Sequence, residues 1–183
     1  NQQIFTHPMK GTIDASVPNA VEELKNSVKE KAEHYTVVDL LRNDLSMVAD
    51  WVTLDEFQRI DYLQTSNKNL FAMSSEISGK VKPEFQNKIG SLLKTLLPAG
   101  SILGAPKPKT LEIILEAETY ERGFYTGVAG YFDGENLDSC VMIRFVEKKG
   151  ENLTFKSGGG ITHLSKLADE YQEMKNKIYV PIH

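Results

Sequence analysis

A single cysteine, Cys140, leaves the 183-residue chain without an internal disulfide framework and without a cysteine-built zinc site. That cysteine lies in the apolar run Cys140-Val141-Met142-Ile143, so a buried structural thiol is expected rather than a nucleophile. No apolar run approaches the roughly 18–20 residues of a membrane-spanning helix. The opening residues show no basic stretch followed by an apolar one, the mark of a secretory leader. Positive charge is not in surplus: 21 Lys+Arg face 25 Asp+Glu, a net charge of -4. A mildly acidic chain lacks the electrostatic footprint of a general nucleic-acid binder. With 13 Gly and 7 Pro, 40% hydrophobic and 25% charged residues, the chain is not collagen-like, low-complexity or wholly disordered. These absences lead to the expectation of a cytoplasmic protein with no membrane or nucleic-acid partner. The chain opens on Asn1 and enters strand-like residues at once, which suggests a fragment or a processed piece.

What is present reads as one mixed domain without internal repeats. Ile4 to Met9, broken by Pro8, suits the end of a strand. Ser16-Val17-Pro18 suits a helix start, and Val21, Leu24, Val28, Tyr35, Val38, Leu41 and Leu45 then recur at helical spacing with a kink or break. Trp51 to Leu63 reads as β-structure with a turn near Asp55, and Phe71 to Val81 as another strand. Pro83 is expected to open a helix through Phe85, Ile89, Leu92, Leu93 and Leu96, stopped by Pro98-Ala99-Gly100. The loop Gly104 to Pro108 precedes a helix through Leu111, Ile114 and Leu115. Three strands are expected at about Thr126–Phe132, Asp138–Glu147 and Asn152–Lys156, with turns at Asp133-Gly134-Glu135-Asn136 and Lys149-Gly150-Glu151. A last helix is expected from near Ser165 to about Tyr179. Antiparallel strands with helices covering the sheet make this an α/β (α+β) chain.

Several constellations could carry chemistry. Glu30 and Glu33 are three apart on one expected helix, and Glu170 and Glu173 on another. Each pair lies on one helical face. Two such faces together would attract a hard cation, Mg²⁺ or Ca²⁺, held by oxygen alone. From spacing alone the commoner reading is a pair of solvated faces. The glycines of Ser157-Gly158-Gly159-Gly160-Ile161 would let backbone N–H groups approach an anion, or would serve tight packing. Arg144, inside an expected strand from Val141 to Phe145, would grip a carboxylate or sit in a structural ion pair. Lys10, beside Gly11-Thr12 at a strand end, would be a nucleophile if its pKa were lowered. His7, His34, His163 and His183 have no metal-ligand spacing and are given no role.

Taken in order, these stretches resemble the chorismate-utilising enzymes along nearly the whole chain. The matching segments are Pro8-Met9-Lys10-Gly11-Thr12; Glu30-Lys31-Ala32-Glu33-His34 leading to Asp39-Leu40-Leu41-Arg42-Asn43-Asp44-Leu45; and Gly104-Ala105-Pro106-Lys107. They continue through Glu121-Arg122-Gly123-Phe124-Tyr125-Thr126-Gly127 to Gly130-Tyr131, Asp138 to Arg144, Ser157 to Ile161, and Glu170-Tyr171-Gln172-Glu173 to Asn176-Lys177. Each is weak alone; the ordered set is specific. Within the family, a Pro-x-Lys-Gly-Thr motif goes with aminodeoxychorismate synthase component I, whereas Ala at the Lys10 position goes with anthranilate synthases.

The resemblance implies antiparallel sheets packed face to face with helices outside, of which residues 1–183 would be the C-terminal part of the catalytic domain. It implies amination of chorismate to 4-amino-4-deoxychorismate, with ammonia from a glutamine amidotransferase subunit, on the way to 4-aminobenzoate and folate. It implies a Mg²⁺ site with Glu33 and Glu173 as direct ligands and Glu30 and Glu170 in support. Arg144 and Tyr125 match positions that grip a substrate carboxylate. Gly158, Gly159 and Gly160 match backbone-amide donors, Gly11 and Thr12 bound the ring site, and Lys177 adds positive charge. Lys10 matches the covalent nucleophile. Where the family carries His or Gln on the strand before Ser74-Ser75, this chain has Ala72 or Met73. Anthranilate, isochorismate or salicylate formation, or a chorismate- or Mg²⁺-binding piece without turnover, are the alternatives.

Overall fold

A computed structural model describes residues 2–65, 68–163 and 165–178. The chain falls into two compact units, one up to Ile114 and one from Leu115 on.

In the first unit, strands β1 (Gln3–Thr6) and β2 (Met9–Asp14) are followed by helices α1 (Ala20–Asn26) and α2 (Val28–Val48). Two long strands come next, β3 (Ala49–Leu63) and β4 (Leu70–Val81). β4 is the centre of an antiparallel sheet. β1 pairs with its Ile77–Lys80 stretch and β2 with its Leu70–Ser74 stretch, while β3 runs along β4 from Val81 to Leu70. Thus β1 and β2 act as one edge interrupted at Pro8, which has no N–H to donate; its carbonyl still accepts from Ser75 N at 3.0 Å.

The expected break in the long helix is at Ser27. Its backbone N–H ends α1 on Glu23 O at 2.9 Å, and its hydroxyl caps α2 by accepting from Glu30 N at 3.3 Å. The helix begins at Ala20 rather than at Ser16-Val17-Pro18, because Ser16 is turned back by Asp14, which accepts from both its N–H and its hydroxyl. The buried face of α2 is His34, Val38, Asp44, Leu45 and Val48, and its core with Ala49 and Ile77 fills the helix–sheet interface. Val28 and Tyr35, expected on that stripe, are exposed.

The expected turn near Asp55 is a bulge instead. β3 continues past Asp55 without turning and slips register between Asp50 and Thr53, Leu54 and Glu56, and Glu56 and Arg59. Trp51 and Gln58 take positive φ of 51° and 56° within two of these bulges. Pro83 opens only a 3₁₀ turn, Pro83–Phe85; the helix proper, α3, is Ile89–Leu96. Short α4 (Gly100–Leu103) and α5 (Lys107–Ala117) follow. Their anchor is Asp44, nearly fully buried, which accepts from Gly100 N at 2.6 Å and meets Lys107 Nζ at 2.6 Å.

The second unit holds two antiparallel hairpins, β5 (Val128–Phe132) with β6 (Leu137–Val141) and β7 (Phe145–Lys149) with β8 (Asn152–Lys156), and then α6 (Leu167–Asn176). The expected single strand Asp138–Glu147 is therefore two, interrupted at residues 142–144. Asp133 sets the first turn by accepting from Glu135 N and Asn136 N at 2.8 and 2.6 Å, and these bonds hold its carboxyl below the usual range. Cys140 is exposed rather than buried, since it lies on the open face of a two-stranded hairpin. The last helix ends at Asn176; its expected end at Tyr179, like His183, lies outside the described residues.

Asp44→Ala should lower unfolding free energy by about 3 kcal/mol in urea titrations, since it strands the Lys107 ammonium and the Gly100 N–H together.

Candidate functional site

In the first unit the site is built around an irregularity of β2. Met9 is in register with Ser74 and Thr12 with Ala72, so Lys10 and Gly11 together oppose Met73. This is a β-bulge, and Gly11 supports it with φ +99°. Glycine is needed there twice, because a Cβ would also come within 3.2 Å of Glu30 Oε2. The bulge presents Lys10 to α2, where its Nζ lies 2.8 Å from Glu33 Oε2. Lys29, one turn earlier, brings a second ammonium within 4.0 Å of Glu33 Oε1. Lys10, Gly11, Glu30 and Glu33 are thus brought together by one bulge and one helix face. Thr12 stays in the ladder, exposed.

His34, given no role by sequence reasoning, lies under this group and is fully buried. Its Nδ1 is 3.1 Å from the Lys10 carbonyl and its Nε2 2.7 Å from Ser75 Oγ. Ser75 Oγ also accepts from Gln58 N at 3.1 Å. Burial pulls the imidazole below its ordinary pKa, and the Lys10 carbonyl opposes that pull. The signal was present: His34 continues the Val38, Leu45, Val48 face as its one aromatic polar member.

In the second unit the glycine run meets α6 and Tyr125. A Cβ on Gly158 would fall 2.2 Å from the Tyr125 hydroxyl, so only glycine admits that ring. A Cβ on Gly159 would be 3.6 Å from Glu170 Oε2 and 3.9 Å from Lys177 Nζ. Glu170 accepts from Ser165 Oγ at 2.6 Å, and Lys177 Nζ is 2.6 Å from Glu173 Oε1. Among the described residues, no side chain or backbone lies close to where a Cβ on Gly160 would be. Burial pushes the Tyr125 hydroxyl above its ordinary pKa, while the Arg122 and Arg144 charges pull it down. Arg144 is not inside a strand: it lies in the interruption between β6 and β7, exposed, so it has no burial cost to offset. Arg122, unassigned by the sequence reading, is clamped by both oxygens of Glu118 at 2.6 and 2.7 Å and donates to Thr126 at 3.0 Å. That fixes the turn carrying Tyr125.

Among the described residues no three His, Cys, Asp or Glu side chains gather into a cation site. The chemistry of the two Glu-x-x-Glu faces nonetheless suits a hard cation. They offer oxygen only, and Glu33 and Glu173 each already hold an ammonium within 2.8 Å.

A family model described as chorismate binding enzyme matches residues 1–183, and the chain belongs to that family. It is 54% identical over 182 residues to an uncharacterized PabA-like protein of Pasteurella multocida, and 52% identical to one of Haemophilus influenzae. Both alignments take in 100% of this chain and 56% of the relative, so the chain spans little more than half the length of these curated relatives. Among solved structures it is similar to anthranilate synthase component I of Streptococcus pneumoniae, with TM-score 0.79 and 29% identity over 97% of this chain and 39% of that one. The mixed helix and antiparallel-sheet architecture is that of this family.

Gly158→Ala should displace the Tyr125 ring and shift its signal in ¹³C-tyrosine NMR spectra, whereas Gly160→Ala should leave that signal in place.

Proposed function

We propose that this chain is the chorismate-aminating part of an aminodeoxychorismate synthase, forming 4-amino-4-deoxychorismate with ammonia from a glutamine amidotransferase partner. The observation that carries the reading is Lys10: a lysine lifted by a glycine-supported bulge and held 2.8 Å from a carboxylate. A nucleophilic amine needs a proton acceptor within hydrogen-bond reach, and Glu33 is at that distance. In this reading the Lys10 amine adds to C2 of chorismate and gives up a proton, both ring double bonds shift by one bond, and the C4 hydroxyl leaves as water after taking up a proton. Ammonia then adds at C4 and gives up a proton, both double bonds shift back, and Lys10 leaves C2 with its electron pair and takes up a proton.

The remaining residues bind and orient. Arg144 and Tyr125 hold the enolpyruvyl carboxylate. The N–H groups of Gly158, Gly159 and Gly160 face its oxygens, and Lys177 contributes charge. Gly11 and Thr12 border the ring. Glu33 and Glu173, supported by Glu30 and Glu170, would hold Mg²⁺. When bound, that ion would neutralise these carboxylates and polarise the ring carboxylate, easing loss of the hydroxyl. The 54% and 52% identical relatives bear PabA-like names, which supports this choice over anthranilate formation.

Incubating the protein with chorismate, Mg²⁺ and ammonium at mildly alkaline pH should give aminodeoxychorismate by mass spectrometry. Lys10→Ala should abolish that product or replace it, with a loss of about 100-fold or more in its rate. Isochorismate or anthranilate from the unmodified protein would overturn the assignment.

A further inference from the structure

The Lys10 carbonyl belongs to the bulged pair that faces Met73, outside the regular ladder of β2 with β4. On the other side of β4 a second bulge sets Phe57 and Gln58 together against Ser75. The polar groups displaced by the two bulges converge on one ring. His34 reaches the Lys10 carbonyl through Nδ1 and the Ser75 hydroxyl through Nε2. Ser75 takes the Gln58 N–H that the second bulge releases.

The donors and acceptors assign the hydrogens. A carbonyl only accepts, so Nδ1 must donate to Lys10. Ser75 Oγ already accepts from Gln58 N and has one hydrogen to give, for which Nε2 is the partner at 2.7 Å. Nε2 therefore accepts. A hydrogen on Nε2 would take that acceptor away from the serine hydrogen in a site with no solvent access.

We propose that His34 is the positioning residue for Lys10, its ring fixed in the tautomer with hydrogen on Nδ1 so that it holds the Lys10 backbone at the bulge. The proposal rests on the reading of Lys10 as nucleophile. The carbonyl and the side chain share the Lys10 Cα, so a backbone that drops toward β4 moves the amine away from its line of attack. Misplacement by about 1 Å costs a reacting group on the order of 100-fold.

The two amide variants of His34 separate this role from plain core filling. Asparagine places a donor near the Nδ1 position and keeps the bond to Lys10; glutamine reaches the Nε2 position and keeps the bond to Ser75. In steady-state kinetics on folded protein, His34→Asn should retain kcat within about three-fold, while His34→Gln should lose about ten-fold or more with KM nearly unchanged. In ¹⁵N-histidine NMR spectra of the unmodified protein at neutral pH, His34 should show a protonated Nδ1 and a bare Nε2. Equal kcat in the two variants, or a hydrogen on Nε2, would overturn the proposal. If the amide variants do not fold, Ser75→Ala, which keeps the ring and removes its far anchor, should lower kcat with KM unchanged; an unaltered kcat would count against the role. Should the product prove not to be aminodeoxychorismate, the amination reading falls while the Asn–Gln contrast is read on whatever product forms. Without any turnover, the ring spectrum alone decides.

Discussion

The carbonyl of Lys10 is held by His34 Nδ1 at 3.1 Å, at the bulge that turns the Lys10 side chain toward α2. A buried carbonyl without a partner costs on the order of 1–3 kcal/mol. That ring, His34, is fully buried and is tied at its far nitrogen to the central strand. From this follow the seat of α2 on the sheet, the height of Lys10, and the placement of Glu33 as the next residue along the helix. It also accounts for Gly11: a strand forced to positive φ beside the Glu30 carboxylate admits no side chain.

Charge is arranged in both units by the same device, a carboxylate held by a neighbouring ammonium. Glu33 meets Lys10 and Glu173 meets Lys177, each partly exposed, so these pairs add little to stability. Their worth lies in keeping the carboxylates pointed. The sheet face away from α2 carries a separate network: Arg59 bridges Glu56 and Asp61 and comes within 3.9 Å of Glu76, itself 3.6 Å from His7. There burial pushes the Asp61 carboxyl up, but hydrogen bonds from Ser74 and Arg59 outweigh it and leave it below the usual range. Successive β4 residues point to opposite faces, so Ser75 serves the helix side and Ser74 and Glu76 this one.

Periodicity revealed the long helices and β4, since Leu24, Val38 and Leu45 fall at helical spacing and do form the buried face. It misplaced what depends on pairing. A bulge has no local signature, so Asp55 read as a turn when β3 runs past it. Cys140 and Arg144 read as buried because their neighbours are apolar, yet a two-stranded hairpin has an open face and an end, and both are exposed. The site fared differently in its parts. Glu30, Glu33 and Lys10 were identifiable as residues, but that a bulge brings them together needed the register. His34, beside Glu33, has no metal-ligand spacing, and its contacts with the Lys10 carbonyl and Ser75 depend on the fold rather than on spacing along the chain.

The ordered motifs that mark the family are not all chemistry. Asp44, in the stretch after Glu33, is buried and holds Gly100 and, through Lys107, the start of the Gly104-to-Lys107 motif. Two of the matching segments are therefore the two ends of one clasp, which locks α4 and α5 to α2. Arg122 and Glu118 play the same part for the turn bearing Tyr125. The scaffold contacts of Asp44 and Arg122 are thus separate from position 10, whose backbone is held by His34 through a carbonyl bond that any side chain would permit.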